Sequence, residues 1–179
     1  RQQNEDVTAW LYLPDSVINY PVLQHGDNDY YLTRQIDGSY NKNGSIFMDY
    51  RNASDFSDRN TIIYGHHMRT GNMFGKLVNF KSDSYYQQHD HMFIMTPQVT
   101  YRLELLCGAV VEPDDPIYSI DPTEEALAAC MRRSTFQTKL DLPGEEARLV
   151  TLSTCSYEFE DARYIVIGVL TPLEETVKN

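Results

Sequence analysis

Long hydrophobic runs are missing from this chain. No apolar stretch approaches the roughly 20 residues of a membrane-spanning helix; the longest, Tyr164-Ile165-Val166-Ile167-Gly168-Val169-Leu170, is short and strand-like. A surplus of positive charge is missing too. The 179 residues carry 15 Lys and Arg against 26 Asp and Glu, a formal charge of −11, and this argues against nucleic acid as a partner, because nothing here would release phosphate counterions. The acidity is spread along the sequence, so it reads as a solvated surface. Cysteine is scarce: the three residues cannot all pair, and no Cys-x-x-Cys spacing offers a zinc site. His89-Asp90-His91 lacks the nearby third ligand a metal would need. No signal-peptide pattern opens the chain, which begins at Arg1, so an export signal or anchor has been cut away or never existed.

What is present is aromatic and apolar. A hydrophobic fraction of 41%, with 13 Tyr and 7 Phe, excludes a disordered chain. Residues 1–179 suit one domain, large enough for a core without staples. Residues 10–13, 20–23, 44–50 and 60–64 read as short strands separated by polar turns, and 92–96 with 100–111 as a hairpin around Pro97-Gln98. Met73-Phe74 and Leu77-Val78 have helical spacing, with a further helical turn over 82–88. A helix follows Asp121, a suitable N-cap, with Pro122 at its first position, Glu124 completing a capping box, an apolar stripe of Leu127, Cys130 and Met131, and Arg132-Arg133 at its end. Two strands around Cys155 and Arg163 close the chain. The fold class is mainly β: about eight strands in a closed or nearly closed barrel decorated by helices.

Cysteine, histidine and arginine stand at three strand ends. Thr151-Leu152-Ser153-Thr154-Cys155 finishes one apolar run, Arg163 starts the next after seven residues, and Tyr64-Gly65-His66-His67 leaves a third. Cys107 lies in an apolar run and Cys130 on the helix, so both read as buried hydrophobes. A free cysteine near pKa 8.5 and a free histidine near 6.5 would both be charged in less than about 1% of molecules at pH 7. Proximity favours the ion pair, and arginine favours the thiolate further. Such a pair supplies a nucleophile and a proton donor for a leaving group, and arginine supplies donors for an oxyanion. Arg163 could instead pair with Glu160 or Asp161. Strand alternation puts His66 and His67 on opposite faces without choosing between them.

The run at 151–155 resembles the Thr-Leu-x-Thr-Cys signature of sortases, the transpeptidases that attach proteins to Gram-positive cell walls. Tyr64-Gly65-His66 resembles the family's histidine motif and favours His66 over His67; Arg163 resembles its arginine. Ile46-Phe47-Met48-Asp49-Tyr50 and Met73-Phe74-Gly75-Lys76-Leu77 are also sortase-like, and the helix at 122–133 is similar to the insertion that marks class B. The resemblance implies a sortase β-barrel held outside the cell by an N-terminal membrane anchor that this chain does not contain. It implies cleavage of a sorting-signal peptide through a thioester on Cys155, with His66 and Arg163 as catalytic partners. The acceptor would be a peptidoglycan amine or a pilus-subunit lysine. No cofactor or metal is implied.

Tyr20-Pro21-Val22-Leu23-Gln24 followed by Asp27-Asn28-Asp29-Tyr30-Tyr31-Leu32 matches the class B pattern and offers Asn28 and Leu32 as binding residues for the sorting signal. Ser153 and Thr154, inside the signature, are further candidates. The segment 112–138 is expected to pass over the rim nearest Cys155 and to form one wall of a peptide groove, offering Tyr118, Ser119 and Ile120. A papain-like protease is disfavoured by its reversed Cys-His order and absent Cys-Gly-Ser-Cys-Trp motif. A non-catalytic, acidic, wall-associated binding module is the alternative from a different class.

Overall fold

The computed structural model describes residues 4–173. Eight strands, β1 (Val7–Tyr12), β2 (Asn19–Leu23), β3 (Phe47–Met48), β4 (Asn60–Tyr64), β5 (His91–Met95), β6 (Thr100–Val111), β7 (Leu149–Cys155) and β8 (Arg163–Pro172), close into a barrel in the order β1-β2-β3-β4-β7-β8-β6-β5. The mainly β barrel expected from the sequence is the fold observed. The ring of pairings is closed, with β2 and β3 meeting only at Leu23 and Phe47.

β7 and β8 are apolar along both faces because both faces are covered. Val150, Leu152, Tyr164 and Val166 point into the barrel with Leu103 and Leu105 of β6. Leu149, Ile165 and Ile167 point outward, beneath Leu127 and Cys130 of the helix α2 (Glu124–Arg132). A register shift in β6 between Leu105 and Cys107 hands that strand's side chains from the inner cluster to the outer one. Strand direction then sets up one end of the barrel. β4 runs parallel to β7, so Tyr64 lies beside Ser153, and both strands deliver their C-terminal ends to the same mouth. β8 runs antiparallel to β7 and starts there, with Arg163 opposite Cys155.

Several local expectations are corrected. The strand expected over 44–50 pairs only at Phe47–Met48; Gly44 turns at φ +58°, and after the Asp49 amide donates to the Ile62 carbonyl at 2.9 Å the chain turns, its Arg51 amide donating back to the Asp49 carboxylate at 3.0 Å. The helical spacing at 73–78 gives a 3-10 turn at Leu77–Lys81, because Met73 sits at φ 53°, in the left-handed region. The helix α1 (Asp83–Gln88) follows it as expected. The N-cap of α2 is Thr123, whose hydroxyl accepts from the Ala126 amide, so Asp121 and Pro122 remain in the approach and Glu124 is the first helical residue. Arg133 lies just past the helix and pairs with Asp115, fastening the segment to itself.

Candidate active site

Glycine and a turn explain how histidine reaches the mouth. After Tyr64 the Gly65 amide donates to the Ser153 carbonyl at 3.1 Å, extending the β4–β7 ladder by one bond. A Cβ at Gly65 would come within 2.5 Å of Ile46 and 2.7 Å of the Phe74 ring, so only glycine lets the chain leave through that gap. The His66 carbonyl then accepts from the Phe74 amide at 3.1 Å, and His67 bridges Met73.

The two histidines diverge from there. His66 donates from Nε2 to the Leu32 carbonyl at 2.7 Å, a bond that fixes its ring, since a carbonyl can only accept. Gly44 backs that carbonyl: a Cβ at Gly44 would lie 2.5 Å from the Leu32 oxygen. His67 donates from Nδ1 to the carbonyl of Cys155 itself at 2.9 Å, with its ring against Tyr157 at 5.1 Å.

Cys155 and Arg163 are register partners across β7 and β8. Cys155 is a free, half-buried thiol. Arg163 donates from Nη1 to the carbonyls of Asp161 at 2.6 Å and Ala162 at 3.2 Å. Among the described residues no carboxylate pairs with it, neither Glu160 nor Asp161; the nearby Glu158 pairs with Lys81, which also donates to the Ser156 hydroxyl at 3.0 Å. That cluster ties down the loop between Cys155 and Arg163. Burial would raise the Glu158 carboxyl, but the Lys81 and Ser156 hydrogen bonds outweigh it and hold the group at about 2. Cys107 and Cys130 are buried as expected, and burial pushes both thiols up, Cys130 to about 11.

A cavity of about 310 Å³ is lined by His66, Cys155 and Arg163 together with Asn28, Leu32, Ser153 and Thr154. His67 is not among its lining residues. Tyr118, the remaining candidate, lines an adjoining cavity of about 490 Å³ that shares Asn28, Tyr64, Ser153 and Arg163 with the first. There its hydroxyl pairs with the Ser153 Oγ at 2.7 Å and its ring stacks on Tyr64 at 6.4 Å and 18°. Ser119 and Ile120 line neither cavity. The carbonyls of Ile117 and Ser119 accept from Asn60 Nδ2 at 3.0 and 2.9 Å, and the Ile120 carbonyl from the Asn60 amide at 3.0 Å. The Thr154 Oγ1 is buried without a hydrogen-bond partner among the described residues.

Two residues at this end of the barrel escape sequence reasoning. Asp49 is fully buried, and Arg51 pairs with it through two hydrogen bonds at 2.9 Å. The available signal is a carboxylate closing an apolar strand two positions before an arginine, since a buried charge needs a partner. Among the described residues no three His, Cys, Asp or Glu side chains converge in a way that could hold a metal ion.

Comparison with known proteins converges on one family. A family model described as a Sortase domain matches residues 11–171. Sortase B of Listeria monocytogenes is 35% identical over 93% of this chain and 70% of its own length. The Staphylococcus aureus sortase B–substrate complex superposes with a TM-score of 0.90 at 28% identity, covering 97% of this chain and 83% of that one. A Streptococcus pyogenes class B sortase involved in pilus biogenesis superposes at 0.86 and 32% identity, covering 95% of each chain. With the barrel matched from end to end and the cysteine, histidine and arginine gathered at one mouth, the chain belongs to the sortase family and is a class B enzyme.

Proposed function

We propose that this enzyme cleaves the C-terminal sorting signal of secreted proteins through a thioester on Cys155 and transfers the protein to an amine of cell-wall peptidoglycan. The observation that carries this reading is the pairing of Cys155 with Arg163 across β7 and β8, with His66 lining the same cavity.

The Cys155 thiolate attacks the scissile carbonyl carbon, and its oxygen takes up the electron pair. Arg163, which has no carboxylate partner among the described residues, donates to that oxyanion or to the adjacent peptide carbonyl. The intermediate collapses to the thioester as the C–N bond breaks, and His66 gives its proton to the departing amine. The acceptor amine then loses a proton to His66, attacks the thioester carbonyl and expels the thiolate, restoring the ion pair. The Leu32 carbonyl on Nε2 holds the imidazole as the orienting third group that such pairs need. Asn28, Leu32, Tyr118, Ser153 and Thr154 line the path of an extended peptide. A sortase anchored at the outer face of a Gram-positive cell membrane meets both its substrates and its acceptor there.

A second acceptor has its own support. The pilus-biogenesis class B sortase covers 95% of this chain, which keeps a pilin lysine as the alternative amine. Mass spectrometry of sorting-signal peptides, incubated with and without amines, tests the reading. Wild-type enzyme is expected to form a Cys155 acyl adduct and an amine-dependent product, and Cys155→Ala to form neither. Turnover by Cys155→Ala would overturn the assignment; hydrolysis unaffected by any amine would make the enzyme a peptidase.

A further inference from the structure

The walls of the groove are not strands, so the barrel alone does not fix their separation. One wall, residues 27–32, is a turn in which Asp27 caps the amides of Asp29 and Tyr30, followed by the short 3-10 segment Tyr30–Leu32. The other comes from the loop that holds the 3-10 segment Pro116–Tyr118. Both are reached from Asp49. Its Oδ2 accepts from Asn28 Nδ2 at 3.1 Å on the first wall and from the Tyr64 hydroxyl at 2.9 Å between the walls. Its Oδ1 accepts from Arg51 Nε at 2.9 Å and from the Arg51 amide at 3.0 Å. Arg51 Nη2 then donates both to Asp49 Oδ2 at 2.9 Å and to the Tyr118 carbonyl at 3.1 Å on the second wall. A further tie runs from the Tyr50 amide to Asn28 Oδ1 at 3.0 Å.

We propose that Asp49 and Arg51 are positioning residues that set the spacing between the two walls, and thereby how tightly an extended peptide is held. They act through Asn28 and Tyr118 and do not touch the reacting atoms. The proposal rests on the reading of this cavity as a peptide groove. Stability alone does not explain the pair: Asp49 is fully buried, but the Arg51 side chain is 42% exposed, and an ion pair that reaches solvent adds little. The geometry also calls for arginine. Its planar fork engages both carboxylate oxygens and still reaches a third acceptor, whereas a lysine offers one nitrogen. Asp49 and Arg51 both line the cavity beside the catalytic one, so a change in their geometry is felt along the groove rather than at the thiol.

The test compares wild type, Arg51→Lys and Asp49→Asn in three measurements: KM and kcat for a sorting-signal peptide, the rate of Cys155 modification by a small methanethiosulfonate reagent, and thermal midpoint. The small reagent needs the thiol but not the groove. Arg51→Lys is expected to raise KM about tenfold or more, with kcat and the modification rate within about twofold of wild type. Asp49→Asn is expected to follow the same pattern, because the amide puts a donor where Tyr64, Asn28 and Arg51 all donate. An unchanged KM in a folded variant overturns the proposal. So does a parallel fall in kcat and thiol modification, or failure of both variants to fold, since each makes the pair a stability device. Failure of wild type to cleave any peptide is a separate result and sinks the proposed function itself.

Discussion

His66 and His67 are adjacent in the chain and serve opposite neighbours. His66 lines the cavity with its ring tied to the Leu32 carbonyl, while His67 holds the carbonyl of Cys155. His66→Ala is expected to lower peptide cleavage by at least about a hundredfold, the scale of a lost general acid–base. His67→Ala removes one hydrogen bond, about 1 kcal/mol, and should stay within about tenfold of wild type. Steady-state kinetics on the two variants decide the matter, and the reverse order would move proton transfer to His67. Arg163 carries a second prediction. Because a lysine cannot reproduce its fork, Arg163→Lys should lose at least about tenfold in kcat/KM, roughly 1.4 kcal/mol of transition-state stabilisation. A near-wild-type lysine variant would show that its backbone contacts to Asp161 and Ala162 are its whole purpose. The thiols differ as well: methanethiosulfonate at neutral pH should label Cys155 in the folded protein and leave Cys107 and Cys130 unmodified, because burial holds both of those protonated. Peptide mapping reads the result.

At the scale of elements, the segment between β6 and β7 has two jobs on two faces. α2 covers the barrel with Leu127 and Cys130, which pack over Ile165 and Ile167. The loop before it reaches the cavity beside Cys155's through Tyr118 and is pinned to β4 by Asn60, whose Oδ1 in turn accepts from Thr151 at 2.8 Å. The wall is thus held chiefly by its backbone, and its side chains can vary without losing the anchor. Exchanging residues 114–120 for the equivalent loop of a sortase with different specificity should therefore change peptide preference in a folded, active chimera. Competition between paired peptides measures this, and an unaltered preference would leave the loop as scaffold.

For the molecule as a whole, acid is the informative stress. Burial would raise the Asp49 carboxyl, but hydrogen bonds from Arg51, Tyr64 and Asn28 outweigh it and hold the group below its ordinary value; Glu158 is held down in the same sense. A carboxyl depressed in the folded state adds stability above its unfolded pKa, about 4 for Asp and Glu, and that stability is lost as pH falls through the folded value. Urea midpoints should accordingly fall between about pH 5 and pH 2, and Asp49→Asn should flatten part of that fall. An equally steep acid dependence in Asp49→Asn would show that this carboxyl is not stabilising.

The apolar periodicity of residues 100–111, 149–155 and 163–170 was enough to predict a β-barrel, because strand burial is written in alternation and in two-sided apolar runs. The surroundings of Cys155 were legible for the same reason: Cys155 and Arg163 flank one short loop, so pairing their strands makes them neighbours. Contacts between segments distant in sequence were not legible. The Leu32 carbonyl that holds His66, the His67 bond to Cys155 and the Arg51 bond to the Tyr118 carbonyl each join residues that meet only after the barrel closes. Nor could alternation choose between the histidines, since the chain has left the strand at Gly65 and its course is set by the gap between Ile46 and Phe74. Local periodicity determined which elements form; the closed barrel decided which side chains and carbonyls meet at its mouth.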